Sequence, residues 1–173
     1  MIALVNGEPK VLNIYELIHH YLMHQKESVT RRTQYDLEKA EERAHILEGL
    51  KIALDNIDEV IALIKKSSNA AEAKEGLIET FSLSEKQAQA ILDMRLQRLT
   101  GLERDKIDQE FNELLKLIAE FKEILANEKL LMNIIKEELL EIKEKYADDR
   151  RTQIVASIEE IEEEDLIQEE DIT

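Results

Sequence analysis

The 173-residue chain reads as an all-α protein: a long antiparallel coiled-coil hairpin, a small helical globular head at its tip and a short β-hairpin at the N-terminus. Three observations lead there. Glycine and proline together number five, four Gly and one Pro, where average usage would give roughly 20. Folds that depend on many tight turns are thereby excluded. Charged residues are 36% of the chain and aromatics 4%, the composition of long helices. Apolar residues also recur at 4-3-4-3 spacing in two separated stretches, the signature of a one-sided helical seam.

The elements follow in order. Residues 1–12 predict a β-hairpin, because Asn6-Gly7 suits the positive φ angles of a type I′ turn between Ile2–Val5 and Lys10–Leu12. Pro9 confines the second arm to an edge. Asn13 is then a good helix N-cap with Glu16 three residues on, and Leu12 and Leu17 occupy hydrophobic-staple positions. With no proline after Pro9, one helix is read over 13–66, with Gly49 its weak point. At 1.5 Å per residue it would span roughly 80 Å, too long for a compact globule of this size. Its second half carries the seam Ile46, Leu50, Ala53, Ile57, Val60 and Ile64. The same spacing returns at Ile107, Phe111, Leu114, Ile118, Phe121 and Leu125 on a helix read over 103–146. It continues through Met132, Ile135, Leu139, Ile142 and Tyr146 past a break near Asn127. Two seams in one chain are satisfied by antiparallel pairing, with the residues between them making the turn-around.

That intervening segment, 67–102, predicts a helical head. Ser67-Ser-Asn69 ends the first helix and Asn69 with Glu72 restarts one. Ser84 with Gln87 forms a capping box for a helix running to about Leu99, closed by Thr100-Gly101. Residues 147–156 form a return segment, with 152–156 as a short strand. The last 17 residues, 157–173, hold nine acids and no base and read as a disordered acidic linker.

The net charge of −16 argues against binding nucleic acid or anionic lipid by bulk charge. Lys26, Arg31 and Arg32, and later Lys143, Lys145, Arg150 and Arg151, are expected to gather at one end of the hairpin. Ion pairs with acids such as Glu27 and Glu144 are their ordinary reading. The absence of cysteine rules out disulfides and thiolate metal sites and fits a cytoplasmic protein. The first residues lack the features of a signal peptide, and no apolar run approaches the roughly 18 residues of a membrane span.

Little chemistry is legible. His20 and His24 share the i, i+4 spacing of a metal pair, with Glu16 one turn earlier, but surface histidines are the ordinary reading. His19 and His45 have no nameable partner. Gly-rich phosphate loops and nucleophile elbows are missing from the sequence, and the four tyrosines read as packing residues. No catalytic, cofactor-binding or metal residue is expected, and the chain by itself reads as non-enzymatic.

Longer motifs carry a resemblance. Val29-Thr-Arg-Arg-Thr33 and Ala44-His-Ile-Leu-Glu-Gly-Leu50 resemble the long helix of bacterial type IIA topoisomerase A subunits. The stretch Lys86-Gln-Ala-Gln-Ala-Ile-Leu-Asp-Met-Arg-Leu-Gln-Arg-Leu-Thr-Gly-Leu-Glu103 is similar to the exit-gate segment of the gyrase branch of that family. Glu138-Leu-Leu-Glu-Ile-Lys-Glu-Lys-Tyr-Ala-Asp-Asp-Arg-Arg-Thr152 is similar to its return from the coil. The resemblance implies that 13–66 and 103–146 are arms and 67–102 a C-gate head. Such heads hold two A subunits together and open to release the transported duplex during ATP-dependent negative supercoiling. It implies a homodimer through the tip, with Gln87, Ile91, Met94, Arg95 and Arg98 near the interface. The helix beginning at Ser84 carries more apolar side chains than one small head can bury, which would leave a face for a symmetric partner.

The same resemblance implies assembly with a B subunit and DNA, little direct DNA contact by this stretch, and no membrane partner. The family's catalytic Arg-Tyr pair and its basic Gly-rich box are not in the sequence. The chain is therefore expected to be a fragment without cleavage or ATPase sites, ATP and Mg2+ being needed through other regions. The first alternative is a stand-alone coiled-coil scaffold or holdase that clamps partners with its tip; the second is an enzyme in its own right that uses the His20/His24 pair with a metal.

Overall fold

The computed structural model describes residues 1–94 and 101–152. In chain order the elements are β1 (Ile2–Val5), β2 (Glu8–Val11), α1 (Ile14–Asp55), α2 (Ile57–Lys66), α3 (Ala70–Phe81), α4 (Glu85–Leu92), α5 (Gly101–Ala126) and α6 (Glu128–Tyr146). They divide into two compact units, Met1–Glu138 and the residues from Leu139 onward.

The hairpin forms as its turn chemistry dictates. Asn6 and Gly7 both take positive φ, 54° and 83°, as a type I′ turn requires. Pairing runs Ile2↔Val11, Ala3↔Lys10, Leu4↔Pro9 and Val5↔Glu8. Met1 and Leu12 exchange two hydrogen bonds, 3.0 and 2.8 Å. Antiparallel pairs alternate between hydrogen-bonded and open, so Leu4↔Pro9 is an open pair and the missing N–H of Pro9 costs nothing.

Asn13 starts α1 with a complete capping box: its Oδ1 accepts from the Glu16 N–H at 2.9 Å, and its own N–H donates to Glu16 Oε2 at 2.8 Å. Antiparallel pairing with the return helices is fixed by three apolar clusters. Val29 packs with Leu131 and Ile135; Leu37, Ala40 and Ala44 with Ile118; Leu47, Leu50 and Leu54 with Ile107. Partners thus descend in number as α1 ascends. Phe111, Leu114, Phe121 and Leu125 are half-buried against the same clusters.

The structure corrects the expected layout at four places. The buried row of α1 begins at Val29, well before Ile46, and includes the small residues Thr33, Ala40 and Ala44. The first helix is not continuous to residue 66. It ends at Asp55, where the Asn56 side chain and N–H both donate to the Ile52 carbonyl, at 2.9 and 3.2 Å. Gly49 is buried inside α1 and does not break it. Beyond the break, Ile57, Val60 and Ile64 lie on α2; Val60 is buried in the head core and Ile64 is half-buried against it. The helix opened by Ser84 stops at Leu92 instead of Leu99, capped by Asp93, whose N–H donates to Gln89 O at 3.0 Å. Finally, α5 already includes Gly101.

The break near Asn127 is present: its N–H closes α5 on Glu123 O at 3.0 Å, and its Oδ1 accepts from the Lys129 N–H at 3.0 Å. In the second unit, Leu139, Ile142 and Tyr146 are exposed, and Lys145–Glu141 and Arg151–Asp148 form local ion pairs, each at 2.5 Å. The expected strand at 152–156 and the acidic segment 157–173 lie, from residue 153 on, outside the described residues.

Candidate functional site

The head is built from α2, α3 and α4 laid against the end of α1. Asn69 caps α3 by accepting the Glu72 N–H at 2.9 Å, and α3 ends at Ser82 in the left-handed region, φ 54°. Ser84 then caps α4: its Oγ accepts the Gln87 N–H at 3.2 Å, and Gln87 Oε1 accepts the Ser84 N–H at 2.9 Å. The core joins Val60, Leu77, Leu83, Ala88 and Ile91 of the head to Leu47, Leu50, Ala53 and Leu54 of α1. Leu47 and Leu77 have no exposed surface at all. Head and helix therefore share one apolar core.

That arrangement changes the roles expected for the interface residues. Gln87 and Ile91 point inward, 5% and 3% exposed, so neither is available to a partner. Gln87 lies against Gly49, and its Nε2 donates to the His45 carbonyl at 2.8 Å. Met94 is half-buried against the head core, while Arg95 and Arg98 lie outside the described residues. The outward side of α4 consists instead of Glu85, Lys86, Gln89 and Asp93. With Ile46, Lys74 and Ala90 these line a shallow cleft of about 400 Å3. Both of its lysines are paired, Lys74 with Glu85 at 2.7 Å and Lys86 with Glu42 at 3.5 Å. The Lys74 hydrogen bond holds the Glu85 carboxyl below its usual range, and Lys39, hydrogen-bonded to Glu42, does the same there with help from Lys86.

His45 was the residue whose partners the sequence hid. Its Nε2 lies 2.7 Å from Ser84 Oγ and its Nδ1 3.4 Å from Gln87 Nε2. A glycine inside a helix, one turn after a histidine, was the available signal; without knowing which helix crosses at Gly49 it pointed nowhere.

At the other end, His20 and His24 are exposed and line a cavity of about 700 Å3 between the β-hairpin and α1, with Leu4, Val5, Asn6, Met23 and Arg31 among its walls. Tyr15 stacks on His19. Among the described residues, no group of three His, Cys, Asp or Glu side chains converges as a metal site. Lys26, Arg31 and Arg32 each have an acidic partner: Glu128, Glu27 (3.8 Å) and Glu138 (2.5 Å). Each of these three bases thus sits beside a carboxylate.

Residues 1–140 match the family model that describes the A subunit of DNA gyrase/topoisomerase IV. The chain belongs to that family. The DNA gyrase A subunit of Clostridium acetobutylicum is 60% identical over 172 residues, 99% of this chain and 21% of that protein. The gyrase A subunits of Staphylococcus aureus strains MRSA252 and NCTC 8325 are each 60% identical over 173 residues, 99% of this chain and 20% of theirs. The chain thus spans about a fifth of the length of these gyrase proteins. Among the described residues, no helix is long and apolar enough to cross a membrane.

Proposed function

We propose that this stretch is the arm and C-gate head of a gyrase A subunit. Two copies would hold together through their heads and part to release the transported DNA duplex. One conjunction carries the reading: 60% identity to gyrase A subunits across 99% of the chain, on an antiparallel helix pair that ends in a compact head. A gate contact must both hold and let go. The charged outer side of α4 favours a modest polar contact over an extensive apolar one, the kind that separates without unfolding. In this reading strand cleavage, ATP hydrolysis with Mg2+, DNA binding and assembly with the B subunit belong to regions outside the chain, and the setting is the cytoplasm. The fragment acts mechanically and catalyses nothing itself.

Sedimentation velocity on the 173-residue chain tests this. A dimer is expected, and Ala90→Arg, placed in the α4 cleft, is expected to weaken it at least tenfold. A chain that stays monomeric at high micromolar concentration would instead favour a stand-alone scaffold.

A further inference from the structure

We infer that Ser84, Gln87 and His45 close a polar ring over Gly49 that makes the head and α1 one rigid body. As a device of the gate this rests on the function proposed above; as a joint it rests on geometry alone. The two helices cross at near-minimal separation. A Cβ added at Gly49 would lie 2.6 Å from both Cβ and Cγ of Gln87, inside any real contact. Glycine at 49 is therefore what lets α4 approach this closely.

At that crossing Gln87 uses both ends of its amide. Oε1 is committed to the α4 capping box at 2.9 Å, which orients the group and leaves Nε2 facing α1. Nε2 donates to the His45 carbonyl at 2.8 Å and sits 3.4 Å from His45 Nδ1. Because Nε2 of the glutamine has only hydrogens to offer, Nδ1 of His45 presents its lone pair. The proton of the neutral ring is then on its Nε2, which donates to Ser84 Oγ at 2.7 Å. Ser84 Oγ also receives the Gln87 N–H at 3.2 Å, so the ring closes through the cap of α4 itself. Gln87 is 5% exposed, and a buried amide bonded at both its oxygen and its nitrogen holds one orientation. Glu42–Lys86 reinforces the same crossing from outside.

Gln87 and His45 are thus positioning residues: they set the head's angle on α1. Movement of the head relative to α1 is then opposed, and the α5–α6 break at Asn127 is one place along the described part of the hairpin where the helix pair can bend instead.

The test uses the whole chain, which has no cysteine of its own. Spin labels at Asp36→Cys on α1 and Glu79→Cys on α3, both exposed, report the head–helix distance. The labelled chain is diluted into unlabelled chain so that only intramolecular distances count. A single narrow distribution is expected. His45→Phe cuts both ring contacts while leaving the capping box intact, and should broaden the distribution at least twofold. Gln87→Met should do the same and abolish the Nε2–H tautomer pattern in the His45 ring nitrogen spectrum. A His45→Phe distribution as narrow as wild type overturns the joint, and so does a wild-type ring protonated on Nδ1. Sedimentation separates the two ideas. Loss of dimer with narrow distances sinks the gate and supports the joint; broad wild-type distances with the dimer intact sink the joint alone.

Discussion

Arg43 on α1 and Glu110 on α5 meet through two hydrogen bonds at once, Nε to Oε1 at 2.7 Å and Nη2 to Oε2 at 3.0 Å. The pair is partly buried, and the Glu110 hydrogen bond raises the Arg43 pKa against the opposing effect of desolvation. Lys122–Glu41 (2.7 Å), Lys51–Asp108 (2.9 Å) and Arg104–Asp55 extend the ladder along the same antiparallel pair. Apolar packing between two helices tolerates a slide of one turn; a two-point fork does not. The ladder therefore acts on register more than on stability.

Arg43→Lys keeps the charge and loses the fork. Urea denaturation should show a cost of about 0.5–1 kcal/mol, near the upper end for exposed pairs. The double mutant with Glu110→Gln should cost less than the sum of the two single changes. Strict additivity would mean the fork contributes nothing.

Gly49→Ala sets two effects against each other. Replacing glycine in a helix interior gains about 1 kcal/mol in propensity. The new methyl would meet Gln87 Cβ at 2.6 Å, an atom tied to the α4 backbone and unable to swing aside. Overpacking of this kind costs about 1–3 kcal/mol. Net destabilisation is expected in thermal melts, whereas Gly7→Ala should destabilise through its φ of 83° with open space around it.

The contrast between these glycines shows what was legible in the sequence. Asn6-Gly7, Asn13 with Glu16, Asn69 with Glu72 and Ser84 with Gln87 are local chemistry, each decided within four residues, and each forms as read. Gly49, His45 and Gln87 are not local: 42 residues separate the last two, and only the head's fold brings them together. The early part of the α1 row was hidden for another reason. Thr33, Ala40 and Ala44 are buried in that row, and small side chains leave little hydrophobic periodicity to detect. The seam past Asn56 misled in the opposite direction. Its spacing is correct for a helix, but Asn56 returns both its donors to Ile52 O and redirects Val60 into the head.

Acid should remove the Lys26–Glu128 contribution, together with those of Glu85 and Glu42, whose carboxyls are also held low by lysine partners. The Lys26 hydrogen bond holds the Glu128 carboxyl below its ordinary value. A carboxyl whose folded pKa is lowered stabilises fully above its unfolded value, and that contribution disappears as pH falls through the lowered one. Bulk protonation of a −16 chain works the other way by relieving repulsion, so the raw melting curve mixes two signs. The difference between wild type and Lys26→Met isolates the pair. It should be present at about pH 7, shrink below about pH 4, and weaken in high salt as exposed pairs do. A difference independent of pH would assign the loss to packing of the lysine stem.

Leu77→Ala probes whether head and hairpin melt together. Leu77 is wholly buried, and deleting such a side chain costs about 2–5 kcal/mol. Leu115→Ala, at a position 47% exposed, should stay within about 0.5 kcal/mol. The cluster around Leu77 includes the α1 residues Leu47, Leu50, Ala53 and Leu54, whereas Leu37, Ala40, Ala44 and Ile118 form a separate one. Hydrogen exchange on Leu77→Ala should therefore accelerate through α3, α4 and the last turns of α1, with the amides from Val29 to Ala44 still protected. If acceleration is uniform along α1, the two clusters unfold as one unit, and the head cannot loosen without dissolving the helix pair that carries it.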